Sequence, residues 1–181
     1  MEILVMRHGT TVWNEKKIVQ GRTNNRLSSA GKEIASERAK EFKNEKIDLI
    51  FASPLMRTMQ TANIMNQFHN VKIIKDERII EIDQGVFTGR KKSTLTPEEI
   101  ELKRKQAEST KMEKFESVFK RCAEFVEFLK REYGDKKVLV VTHNIVASFI
   151  ELAIKNGYHY REEYIDKSCI FKNAELKIFQ I

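Results

Sequence analysis

The sequence predicts an α/β fold: a three-layer α/β/α sandwich around a mostly parallel central sheet. Three observations carry this. Short, continuously apolar runs recur along the chain, as strands buried on both faces require. Between them lie longer stretches with apolar residues at helical spacing. The two kinds alternate along most of the chain, the order that builds strand–helix–strand units. Glycine (7) and proline (2) are scarce, which argues against a loop-dominated chain.

Residues 3–6 form the first apolar run and read as a buried strand. It stops at the polar stretch Arg7-His8-Gly9-Thr10-Thr11. Over residues 28–42, Ile34, Ala35, Ala39 and Phe42 recur at helical spacing, with Ser28 or Ser29 as the N-cap. Residues 47–52 give a second strand, ending at Ser53-Pro54. Residues 55–68 then read as a helix whose inner face is Leu55, Met59, Ala62 and Met65. A third strand covers 71–74, and residues 77–96 have no clear period. Thr96-Pro97-Glu98-Glu99 is a helix start: a capping threonine, proline in the first turn, and acids near the positive end of the dipole. Residues 114–133 carry the strongest stripe, including Phe115, Val118, Phe119, Cys122, Val126 and Leu129. A fourth strand (138–142) and its helix (145–154) follow, and residues 169–171 and 176–181 read as two closing strands. The whole chain, 1–181, is expected to be a single domain, with the charged stretch 89–113 as a lid or specificity segment.

The formal net charge of +7 suits a nucleic acid, an anionic membrane surface or a small anionic substrate. The basic residues are interleaved with glutamate on helical stretches, without an arginine-rich arm or zinc-finger spacing. A small anionic substrate is therefore expected, with no nucleic-acid or membrane partner. A homodimer is compatible with the chain. No apolar run is long enough to span a bilayer, and the N-terminal run lacks the basic flank of a leader peptide. Cys122 and Cys169 sit in apolar patterns outside any CxxC pair and read as buried thiols of a reducing compartment. The expected location is cytoplasmic.

In open parallel sheets, ligands bind beyond the carboxyl ends of the strands. Arg7 and His8 follow the first strand, and Ser53 and Arg57 the second. Glu81 follows the third, and His143 the fourth. These five charged or titratable side chains are expected at one edge. Imidazole, with an ordinary pKa of about 6.5, is a competent nucleophile near neutrality. Guanidinium groups bind phosphate oxygens bidentately. A carboxyl group can protonate a departing alkoxide. Together they suffice for phosphoryl transfer, which needs mainly positioning and positive charge. The set is poor for a metal, and no GxxxxGK[ST] or GxGxxG loop is present, so neither metal nor cofactor is expected.

Arg7-His8-Gly9-Thr10-Thr11-Val12-Trp13-Asn14 resembles the R-H-G-[ET]-[ST]-x-x-N signature of the histidine phosphatase superfamily, in its phosphoglycerate-mutase-like branch. Gln20-Gly21 with the stretch from Leu27 to Gly31, the stretch from Ser53 to Ala62, Glu81 to Gly85, and Thr142-His143 are similar to its further elements, in order over nearly the whole chain. The resemblance implies that His8 takes the phosphoryl group while Arg7, Arg57 and His143 hold its oxygens. It implies Glu81 as proton donor, and Asn14, Gln20 and Gly21 as substrate-positioning groups. The implied reaction is metal-independent hydrolysis of a small phosphomonoester through phospho-His8. A mutase of the same family and a non-catalytic phosphate-binding regulator are the alternatives. The chain departs from the family at Asn24-Asn25-Arg26-Leu27 (often D-x-P-L), at Phe87-Thr88-Gly89 (often W-E-G) and at Asn144 (often glycine). Thr88 cannot donate a proton as a carboxyl does, so Glu81 carries that role alone. Arg22, Arg26, Lys91 and Lys92 are read as solvated charge, with contact to a second anionic group of the substrate as the alternative, and His69 and His159 as surface residues.

Overall fold

A computed structural model describes residues 1–160 and 170–181. Strand β1 (Glu2–Arg7) leads through a short helix α1 (Val12–Glu15) to α2 (Ser29–Glu41). Then follow β2 (Leu49–Ala52), α3 (Met56–Met65) and β3 (Ile73–Lys75). After a run of single 3-10 turns come α4 (Pro97–Arg104), α5 (Phe115–Tyr133), β4 (Lys137–Thr142), α6 (Asn144–Asn156) and β5 (Leu176–Gln180).

The strands make one sheet in the order β3-β2-β4-β1-β5. All neighbours are parallel except β5, which runs antiparallel to β1 at the edge. Successive strand residues face opposite sides. Ile3, Val5, Phe51, Val138 and Val140 pack under α5 and α6, while Leu4, Met6, Ile50, Leu139 and Val141 pack with Ala39, Ala62 and Met65 of α2 and α3. Both faces of the central strands are thus covered, as their unbroken apolar runs require. Each fully buried Val or Ile of β1 and β4 contributes about 1.5–3 kcal/mol of transfer free energy.

Local rules explain the helix starts. Ser28, not Ser29, caps α2, accepting from Gly31 N–H at 3.1 Å. Thr96 and Glu99 form a reciprocal capping box on α4, with Pro97 in the first turn. The stripe on α5 is buried at Val118, Phe119, Cys122, Val126 and Leu129. Its end residues, Phe115 and Tyr133, are only partly buried and make edge contacts with Phe149 and Phe51. Cys122 is a free, buried thiol, as the pattern predicts; Cys169 lies outside the described residues.

Some boundaries differ from expectation. The helix expected over 55–68 ends at Met65 and continues as a 3-10 turn, Asn66–Phe68. The strand expected over 71–74 lies at Ile73–Lys75. Of the two closing strands, one forms among the described residues; the other is expected over 169–171, of which 169 lies outside them. Residues 170 and 171 belong to no strand. Phe171 is apolar because it is fully buried, while its backbone serves the strand ends: its N–H donates to Asn144 Oδ1 at 3.0 Å, and its carbonyl accepts from Arg7 Nη1 at 2.6 Å. The 89–113 segment is ordered chain containing α4, tied to the body by a bridge between Ile18 and Lys91 and braced within itself by an Arg90–Glu99 ion pair. Among the described residues, no helix is long and apolar enough to cross a membrane.

Candidate active site

The register of the sheet brings the two histidines together. In the parallel pair β1–β4, Arg7 stands opposite Thr142, so the next residues, His8 and His143, leave the sheet side by side. His8 N–H donates to Thr142 O at 2.9 Å, and the two rings sit 5.3 Å apart in an edge-on arrangement. On the other side of β4, Ala52 of β2 pairs with Val141, which puts Ser53 next in line. Arg57 follows on the first turn of α3. Neither α3 nor α6 has an acid in its first turn, so no carboxylate neutralises either positive helix end.

Arg7, His8, Arg57 and Glu81 line one cavity of about 220 Å³, together with Asn14, Gln20 and Gly21. Every residue singled out from the sequence is therefore on its wall except His143. His143 is fully buried behind it: its Nδ1 accepts from Arg57 Nε at 3.3 Å, and its Nε2 lies 2.8 Å from Ser53 Oγ. The Arg57 guanidinium is 1% exposed and also donates to Thr23 O at 2.7 Å and to Gly21 O at 2.9 Å. Three of its five N–H groups are committed to holding it, and two remain for a ligand. Arg7 Nε is buried without a partner among the described residues. A phosphate oxygen would supply one.

His8 Nδ1 is 2.6 Å from Gly9 O. A carbonyl can only accept, so Nδ1 carries the proton and Nε2 is left with its lone pair. Burial pushes the His8 imidazole well below its ordinary range, and the positive charges of Arg57 and Arg7 push it further. His143 is shifted the same way, first by burial and then by Arg57. Glu81 moves oppositely. Burial raises its carboxyl above 4.5, opposed by Arg57, by its bond from Ile82 N–H and by Arg7. The arrangement pairs a neutral nucleophile with an acid whose protonated form persists toward neutrality.

Asn14 and Gln20 hold the nucleophile loop itself: the Thr11 hydroxyl is 3.0 Å from both Asn14 Oδ1 and Gln20 Oε1. Gly21 sits at φ +50°, a conformation only glycine adopts readily, and this turns its carbonyl to Arg57. The departures from the family pattern also have uses. Asn24 Oδ1 accepts from Met56 N–H at 2.7 Å and so caps α3 from another loop.

Several residues were missed. Lys92 is exposed, as solvated charge should be, and also lines the cavity beside Lys103, from α4. Arg22 is exposed too, and donates to Glu81 O at 3.0 Å and to Glu113 at 3.0 Å. Glu113 is a hub: its carboxylate also accepts from Arg121 Nε at 3.1 Å and from Asp83 N–H at 3.3 Å. Arg121 in turn donates to Arg78 O at 2.6 Å. The stretch carrying Glu81 is thereby pinned on both sides. No sequence signal marks Glu113, because its partner Arg22 is 91 residues away. Among the described residues, no group of three or more His, Cys, Asp or Glu is placed to hold a metal ion.

Residues 3–178 match the family model "Histidine phosphatase superfamily (branch 1)". "Phosphoserine phosphatase 1" of Hydrogenobacter thermophilus is 31% identical over 151 residues, covering 80% of this chain and 72% of the relative. "Probable phosphoglycerate mutase GpmB" of Yersinia enterocolitica is 33% identical over 110 residues, covering 61% of this chain but only 51% of that protein's length. Among solved structures, Bacillus stearothermophilus YhfR superposes with a TM-score of 0.89 at 22% identity, covering 99% of this chain and 91% of its own. That likeness establishes the shared α/β fold.

Proposed function

The chain belongs to the histidine phosphatase superfamily, branch 1, and is a phosphatase; we propose that it hydrolyses a small phosphorylated metabolite through a phosphoryl group carried on His8. The observation that carries this is the tautomer. Nδ1 of His8 is engaged by Gly9 O, so Nε2 is the free nucleophilic nitrogen, beside two guanidinium groups and one carboxyl.

The substrate phosphoryl sits against Arg7 and Arg57, which neutralise its equatorial oxygens. His8 Nε2 attacks phosphorus, and the P–O bond to the alcohol breaks. The Glu81 carboxyl gives its proton to the departing alkoxide and is left as carboxylate. A water then attacks phospho-His8, its proton passing to Glu81. The N–P bond breaks, phosphate leaves, and both side chains return to their starting states. His143 acts by fixing the Arg57 fork, and Asn14, Gln20 and Gly21 by holding the loop and the substrate edge. A cytoplasmic setting goes with this reading.

The mutase alternative requires keeping water out while the product reorients. The wider match to the phosphoserine phosphatase favours hydrolysis over it. The test is phosphate release from a panel of metabolite monoesters, with EDTA present, for the wild-type chain and His8→Ala. Release that survives EDTA and vanishes in the variant supports the proposal. Isomerisation of phosphoglycerates without phosphate release would overturn the hydrolase reading in favour of the mutase.

A further inference from the structure

The reaction cavity is not closed on its α4 side. Gln84, Lys103 and Ile145 line it and also line a second, larger cavity of about 690 Å³. Beyond that junction the wall is mixed. Ile100 from α4, Met112, Phe115 at the start of α5 and Tyr160 supply apolar or aromatic surface, while Arg104 and Lys105 are paired with Glu101, and Gln106 donates to Glu113 O and accepts from Phe115 N–H.

The junction itself is polar. Gln84 is 8% exposed, and its Oε1 is buried with no partner among the described residues. Leaving such a group unpaired costs about 1–3 kcal/mol, so it points to a polar group on a ligand. Lys103 is half-buried, with Nζ 5.3 Å from the centre of the Phe87 ring and no ion pair among the described residues. Its neighbours Arg104 and Lys105 both pair with Glu101. Burial, and then the charge of Lys92, lower the Lys103 ammonium to about 8. An anion at this point would pair with Lys103, and would accept from the Gln84 NH₂ once that amide is turned about its last bond.

On the phosphatase reading above, we propose that the substrate is the phosphate monoester of an apolar hydroxy acid, whose carboxylate meets Lys103 and Gln84 at the junction while its hydrocarbon body fills the outer cavity. The amide of Gln84 can turn its NH₂ to the carboxylate, since its oxygen is committed to nothing. A glycerate or serine ester would reach the junction and leave the apolar walls untouched.

Three esters separate the contributions: the O-phosphates of lactate, of 3-phenyllactate and of 1-phenyl-2-propanol. The first two differ by a phenyl group; the last two differ by the carboxylate. Burial of a phenyl group is expected to raise kcat/KM about tenfold or more from phospholactate to phosphophenyllactate. Ile100→Gln, at an exposed position where folding is not at stake, narrows that ratio. Lys103→Met instead narrows the ratio between phosphophenyllactate and the ester lacking a carboxylate. Equal kcat/KM for all three esters, with turnover still dependent on His8, overturns the inference and leaves the phosphatase reading standing. No phosphate release from any of them or from p-nitrophenyl phosphate overturns both.

Discussion

Arg57 donates its Nε–H to Nδ1 of His143, 86 residues away, across 3.3 Å. The bond fixes the tautomer of one side chain and the plane of the other. With Nδ1 accepting, His143 carries its proton on Nε2, against Ser53 Oγ at 2.8 Å. The fork of Arg57 is then locked with its remaining donors free for phosphate. Lysine has the charge but neither the plane nor the donor count. Arg57→Lys is therefore expected to lose about 100- to 1,000-fold in kcat/KM, the scale of removing one charge-stabilising donor. Inhibition by inorganic phosphate should weaken in parallel. An Arg57→Lys enzyme within about tenfold of wild type would contradict the assignment.

The two shifted groups set the pH profile. The lowered His8 remains neutral well below pH 6.5, so the acid limb lies far down. The raised Glu81 keeps its proton above its ordinary 4.5, and activity falls as pH rises through that raised value. The optimum for an alkyl phosphate is thus expected on the acid side of neutrality. In Glu81→Gln, turnover drops and the basic limb disappears. A basic limb unchanged in that variant would assign the acid elsewhere.

Glu113 lies off the wall of the reaction cavity, yet it links Arg22, Arg121 and the N–H of Asp83 around the Glu81 stretch. Loss of its charge should misplace the acid. Glu113→Gln is expected to slow an alkyl phosphate about tenfold, a fraction of what general acid catalysis supplies. It should affect p-nitrophenyl phosphate much less, because that leaving group departs without a proton. A structural defect alone would slow both esters alike.

Gly31 is required by space. A Cβ there would fall 1.9 Å from Thr10 O, on the backbone of the nucleophile loop. Gly31→Ala must push α2 off that loop, at a cost of about 1–3 kcal/mol read by urea denaturation. An unshifted midpoint would mean that the loop yields freely.

The central strands and the longest helix were legible in the residues because burial on both faces imposes an unbroken apolar run, and burial on one imposes a stripe. Arg7, His8, Arg57, Glu81 and His143 were legible because topology sends each strand's last residues to the same edge, and the family resemblance names them. Two things were not. Phe171 looks like a strand residue because it is apolar and buried, but burial alone does not specify a ladder. Lys92, Lys103, Gln84 and Glu113 look like ordinary surface polarity, and only the return of the 89–113 segment over the site puts the first three on the cavity wall and gives Glu113 its partners. Charge at a single position carries no information about what folds against it.

The most direct measurement is rapid-quench labelling with a ³²P-monoester, followed by mapping of the label. A phosphoryl group on His8 Nε2, stable to base, lost in acid, formed and discharged at rates compatible with turnover and absent from His8→Ala, is the predicted result. Turnover at wild-type rates with no label on His8, or label on another residue, would contradict it.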